Sequence, residues 1–274
     1  MIQPAPVPRP AKSAKSTPLT AAATSGGERL SKRVAFLMRC SRREAEQYIE
    51  GGWVKVNGQT VEEPMGRVLD QVVTIDPQAS LMELTEVTLL LHKPPGYETM
   101  ALPGQVNKRI KPALQLLLPA HHWVDDASGT RILKRHFAKL SASVPLELAA
   151  SGLVVFTQDW RVLRKLTEDA ALIEHELLVE VQGDVTPEML HRLNTPNASA
   201  RDALPAVKVS INSNQQASTR LRFAFKGTQP GLIANLCERV GLQIISMKRL
   251  RIGRVTLAHL PEGQWRYLLP QERF

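Results

Sequence analysis

VPLELAASGLVVFTQD, Val144–Asp159, carries more information than any other stretch of this chain. Its second half, SGLVVFTQD, reads as a strand, an apolar run closed by polar residues. WRVLRKLTED (160–169) follows with apolar residues at helical spacing, and Asp159 stands where an N-cap belongs. Upstream, VTLLLHKPPGY (87–97) reads as a buried strand ending at a Pro-Gly turn. The segment VPLELAA (144–150) that precedes the SGLVVFTQD strand contains a single carboxylate, Glu147.

Working outward, HELLVEVQGDV (175–185) is a further strand, and TPEMLHRLNT (186–195) is a helix with a Thr cap and Pro at its first position. Strands are expected near 207–211 and 219–225, a helix at 232–240, a strand within LQIISMKRLRIGRVTL (242–257) and a last one near QWRYLL (264–269). RILKRHFAK (131–139) suggests another helix. Strands and helices mix without regular alternation, which favours an α+β fold with a largely antiparallel sheet flanked by helices. The chain has 274 residues, 43% of them hydrophobic, enough for one good-sized core and a smaller one.

The first 76 residues have a different character. Residues 1–27 are rich in Pro, Ala, Ser and Thr with scattered cations, a composition that reads as a disordered basic tail. It has no continuous hydrophobic core of the secretory kind. From Arg29, apolar Leu30, Val34, Leu37 and Met38 recur at helical spacing. Ser41 with Glu44 forms a capping box for a second helix ending at Gly51-Gly52. WVKVNGQTV (53–61) alternates around an Asn-Gly turn, a hairpin signal. Residues 28–76 thus form a compact module, 77–86 a linker, and 87–274 the larger domain.

The net charge of +9 points to an acidic polymer or an anionic surface as partner. No apolar run reaches the length of a membrane span. The cysteines, Cys40 and Cys237, have no ligand-spaced companions, and His121 and His122 have none either, so no metal and no cofactor are expected.

RLSKRVAFLMRCSRREAEQYIEGGWVKVNG (29–58) resembles the S4-type RNA-binding module. The resemblance implies an RNA-facing surface of Arg29, Lys32, Arg42, Arg43 and Lys55. The larger domain resembles bacterial ribosomal RNA pseudouridine synthases of the small-subunit-type branch, which carry such a module. LLHKPPGY (90–97), SGLVVFTQD, HELLVEVQG (175–183), MKRLRIGRVTL (247–257) and EGQWRYL (262–268) carry that likeness. In that family the loop before the strand reads Gly-Arg-Leu-Asp, and the Asp acts on the flipped uridine. Here Glu147 takes the Asp position and Pro145 that of the Arg, while Leu177 replaces a Tyr and Ala234 an Arg that pairs with the Asp.

Two functions follow from the resemblance. One is an RNA-binding relative with a degraded centre and weak or absent activity. The other is an active synthase using Glu147, with a compensating cation such as Arg222 or Lys226. A tRNA-binding stress factor built on the basic module is a third reading. Lys93 either positions the loop, touches phosphate, or is a surface lysine; the RNA-binding role is the one assigned. Lys248, Arg249, Arg251 and Arg254 read as a phosphate track or a solvated face. The implied partner is structured RNA, ribosomal in kind, met in the cytoplasm by a monomer with no membrane attachment.

Overall fold

The computed structural model describes residues 26–81, 85–100, 110–195 and 206–274, so the expected basic tail lies almost wholly outside the described residues. Those up to residue 83 form one compact unit and those from 84 on a second.

In the first unit, α1 (Leu30–Met38) and α2 (Arg42–Glu50) pack together, followed by β1 (Val54–Val56), β2 (Gln59–Thr60) and β3 (Val73–Ile75). Ser41 caps α2 with the full capping box. Asn57 and Gly58 both take positive φ (50° and 81°), the turn that matches the twist of a two-residue hairpin. Leu30, Val34, Ala45, Ile49, Val54 and Val68 make the core. The apolar stripe of α1 does not bury its last turn: Leu37 is 47% and Met38 37% exposed, because α1 ends there in a left-handed turn at Arg39.

The second unit is built on β4 (Thr88–Lys93), β5 (Ser151–Thr157), β6 (Glu174–Gln182), β7 (Val207–Gln215), β8 (Ser218–Lys226), β9 (Ile244–Ile252) and β10 (Trp265–Tyr267). Across the sheet the order is β7-β8-β6-β9-β5-β4-β10, with Val255–Thr256 and Ser141–Ala142 added at the side. Only β5–β9 is parallel among these pairs, so the sheet is mixed and largely antiparallel. Around it lie α3 (Trp160–Glu168), α4 (Pro187–Asn194) and α5 (Leu232–Arg239).

The unbroken apolar runs of β4 and β5 have a direct cause. Leu89, Leu91, Val154 and Phe156 point into one core with Trp265, while Leu90, Leu153 and Val155 point into another with Leu166 of α3. β6 instead alternates, its Leu177, Val179 and Val181 packing against α5 through Ile233, Leu236 and Cys237. The helix expected at 131–139 is a single 3-10 turn, Lys134–Phe137. The Gln158 amide donates to the carbonyls of Arg135 and Ala138, and Lys139 turns left-handed, so the helix does not propagate.

Candidate functional site

One row of paired residues crosses the sheet at the mouth of the loop 144–150. Lys93 pairs with Gly152, Gly152 with Arg249, Arg249 with Leu177, and Leu177 with Phe223. Gly152 is the reason the row can close. Its φ is +116°, and a Cβ there would stand 2.4 Å from the Arg249 carbonyl oxygen. Only glycine allows that approach.

Arg249 is 4% exposed and gives its fork to the loop and to the strand that follows it. Nε donates to the carbonyl of Leu153 at 2.8 Å, Nη1 to Pro145 at 2.9 Å and Nη2 to Val144 at 3.1 Å. Burial pushes its pKa down to about 10, opposed by the charge of Glu147. Lys93 is fully buried, and its ammonium donates to the carbonyls of Ala150 (2.6 Å), Pro94 (3.0 Å) and Leu148 (3.4 Å). Burial, then the neighbouring Arg249, lowers its pKa to about 8. Lys93 is therefore not a surface lysine at a strand end: its side chain has no exposed surface and its ammonium is held by the backbone of the loop.

The loop so held presents Glu147 at the edge of a pocket of about 150 Å³. Leu146, His175, Leu177, Phe225, Ile233 and Arg249 share its lining. A Glu147 carboxylate oxygen accepts from the N–H of Gly231, the N-cap of α5, at 3.2 Å, so the positive end of that helix faces the carboxylate. Among the described residues no ion pair joins Glu147 to a Lys or Arg. Leu177 lines the pocket as an apolar wall, whereas Ala234 is exposed on α5 and is not part of the lining. His175 is 2% exposed, its Nδ1 lacks a partner, and burial together with Arg249 and Arg251 lowers its pKa to about 3.

The compensating cations expected from the sequence lie elsewhere. Arg222 pairs with Glu176 at 2.9 Å, and Lys226 sits beside Glu174. Nor do the basic residues of β9 form one track. A bulge lets Arg251 pair opposite Glu176 and Arg249 opposite Leu177, with Leu250 extra between them. Arg251 is thereby turned to Glu174 (2.5 Å) and Glu176 (3.1 Å) on one face, and Arg249 to the loop on the other. Arg249, Phe225 and His175 are the pocket residues that sequence reasoning missed; basic and apolar alternation in MKRLRIG gave no sign of the bulge. Asp159 caps α3 by accepting from Arg161 N–H at 2.8 Å, as expected. Asp126 holds His122 at 2.8 Å and the backbone of Tyr267.

In the first unit, Arg29, Lys32 and Arg42 line one groove, joined by Arg67, which the sequence did not single out. Arg43 is exposed and Lys55 half-buried; neither lines that groove. Glu28 is bound to Lys32 (3.3 Å) and Arg33 (2.8 Å), and Glu46 to Arg42 (3.3 Å). Lys32 and Arg42 are exposed, so their pairs are worth little, whereas Arg33 and Glu28 are half-buried.

Residues 28–68 match the family described as S4 domain. Over 249 residues the chain is 26% identical to an "Uncharacterized RNA pseudouridine synthase" of Aquifex aeolicus (strain VF5), covering 89% of this chain and 94% of the relative. It is 25% identical to "Ribosomal large subunit pseudouridine synthase B" of Bacillus subtilis (strain 168), covering 89% and 93%. A solved structure described as "Crystal structure of pseudouridylate synthase" shares the fold at TM-score 0.52, with 18% identity over 88% of this chain and 95% of that one. The expected small-subunit branch finds no support, since the Bacillus relative is named for the large subunit. The chain thus carries an S4 domain over residues 28–68 and is similar along most of its length to RNA pseudouridine synthases.

Proposed function

We propose that this protein binds structured RNA, ribosomal RNA foremost, and that its uridine isomerase activity is weak or absent. RNA binding is supported by the S4 match and by a groove that gathers Arg29, Lys32 and Arg42, whose cations suit phosphate oxygens. One observation carries the low activity. The Glu147 carboxylate is bonded to a backbone N–H, while both buried cations of the row, Lys93 and Arg249, spend their donors on backbone carbonyls. A reacting carboxylate needs a cation that aims it, and a displacement of about 1 Å costs on the order of a hundredfold in rate. The wall where the family has a Tyr is Leu177, without ring or hydroxyl.

A second reading, an active synthase using Glu147, is favoured by Phe225, whose ring lines the same pocket and could face a flipped base. Mapping pseudouridine in ribosomal RNA and tRNA from cells with the wild type, with a deletion and with Glu147→Gln separates the two. The large-subunit RNA is the first to map, given the name of the Bacillus relative. Unchanged maps with RNA still recovered on the purified protein are the expected result. One uridine modified only in the wild type would overturn the inactive reading. We further propose action as a monomer in the cytoplasm, checked by sedimentation and fractionation. Among the described residues no helix is long and apolar enough to cross a membrane.

A further inference from the structure

The end of α1 leaves three large apolar side chains in solvent. Phe36 is 80% exposed, Leu37 47% and Met38 37%. Exposed apolar residues are common singly, but three in succession on a small module call for a partner. Their surroundings are cationic: residues 29–43 contain six Lys or Arg and no Asp or Glu. Lys32 precedes Phe36 by one helical turn, and Arg39 follows it by three residues. Glu28 and Glu46 occupy Lys32, Arg33 and Arg42, but Arg39 and Arg43 have no acidic partner among the described residues. The hollow lined by Ala35, Phe36, Leu37, Arg39 and Cys40 adjoins the basic groove of Arg29, Lys32 and Arg42, since Ala35 lines both.

We infer that Phe36 is a stacking platform for an unpaired nucleotide of the bound RNA, with Arg39 beside it to meet the phosphate. The reading rests on RNA binding by this module and adds which part of the RNA is grasped. A ring flanked by cations and adjoining a basic groove suits a nucleotide, which has a π-face and a charged backbone. An apolar protein surface or a second copy of this module would bring its own cationic shell or leave Arg39 and Arg43 desolvated and unpaired, which is costly.

The test compares the full chain with Phe36→Ala and Phe36→Trp. The probes are an RNA hairpin with an unpaired loop and a fully paired duplex of the same length, titrated by fluorescence anisotropy over a series of salt concentrations. Phe36→Ala is expected to weaken hairpin binding by about fivefold to a hundredfold. Duplex affinity and the salt slope should stay as in the wild type, because every phosphate-facing cation is still in place. Phe36→Trp should restore the hairpin affinity. An unchanged hairpin affinity in Phe36→Ala, or an equal loss on hairpin and duplex, overturns the platform. So does a loss of self-association in sedimentation with RNA binding intact, which would make the patch an interface between copies. If the wild type binds neither probe, the RNA-binding reading itself fails; if it binds and Phe36→Ala matches it, the platform alone does.

Discussion

Arg249 Nη1 donates to the carbonyl of Pro145 at 2.9 Å across 104 residues of chain, tying β9 to the loop that carries Glu147. With the bonds to Val144 and Leu153, one side chain satisfies three carbonyls. Arg249→Met keeps the bulk and removes every donor. Leaving buried acceptors without partners should cost about 3–5 kcal/mol. Arg249→Lys should recover only part of that, since an ammonium lacks the planar fork. Urea unfolding of the three proteins checks this, and a loss under about 1 kcal/mol for Arg249→Met would falsify the clamp.

Gly152→Ala should be as damaging as any single methyl in the molecule. The added Cβ meets backbone of Arg249 at 2.4–2.9 Å, and backbone cannot swing aside as a side chain can. The residue also sits at φ +116°. We expect a loss of about 3 kcal/mol or more, or failure to accumulate as folded protein. Gly183→Ala, at φ +76° with open space around it, is the control and should lose only about 1 kcal/mol.

Acid should weaken the larger unit before its carboxylates titrate. Burial lowers the pKa of His175 to about 3 and of His136 to about 4, against an ordinary 6.5. The unfolded chain therefore binds more protons between pH 6.5 and 4, so stability falls as pH drops through that window. Urea midpoints between pH 7 and 4.5 should decline, and the double variant His136→Phe/His175→Phe should flatten the decline. An equally steep curve in the variant would assign the effect to other groups.

On the first unit, Arg42→Ala/Arg43→Ala should weaken binding to structured RNA and lower the slope of log affinity against log salt. Each cation withdrawn from a phosphate takes about 0.7–0.9 off the slope, so the double variant should fall by up to about twice that. Unaltered affinity and slope would remove both arginines from the RNA-facing surface.

The elements that local chemistry dictates were legible in the chain. The capping box at Ser41, the Asn57-Gly58 turn, the Asp159 and Thr186 caps and the strand β5 each rest on residues close in sequence. Glu147 was singled out through the family resemblance, and it stands at the edge of a pocket. What could not be read was the cation beside it. Lys93 looked like a strand-end surface residue until the carbonyls of Leu148 and Ala150 closed over it. Arg249 belonged to a basic run whose sides depend on β6, more than sixty residues earlier, and periodicity within one strand is blind to such a partner. The exposure of Leu37 and Met38 was likewise hidden, because helical spacing marks a stripe but not where the helix stops.

The bulge at Leu250 has a meaning beyond local geometry. Side chains along a regular strand fall on alternate faces, so residues 249 and 251 would share one environment. The extra residue splits them: one guanidinium is committed to dry backbone under a loop, the other to carboxylates on the opposite layer. The strand thereby acts as a sorter of like charges. Straightening the bulge with Leu250 kept in the ladder would return both arginines to the same side, crowding one layer with positive charge and leaving Glu174 and Glu176, or the loop, without its counterpart. The architecture of the pocket is in that sense set by a residue that never touches it.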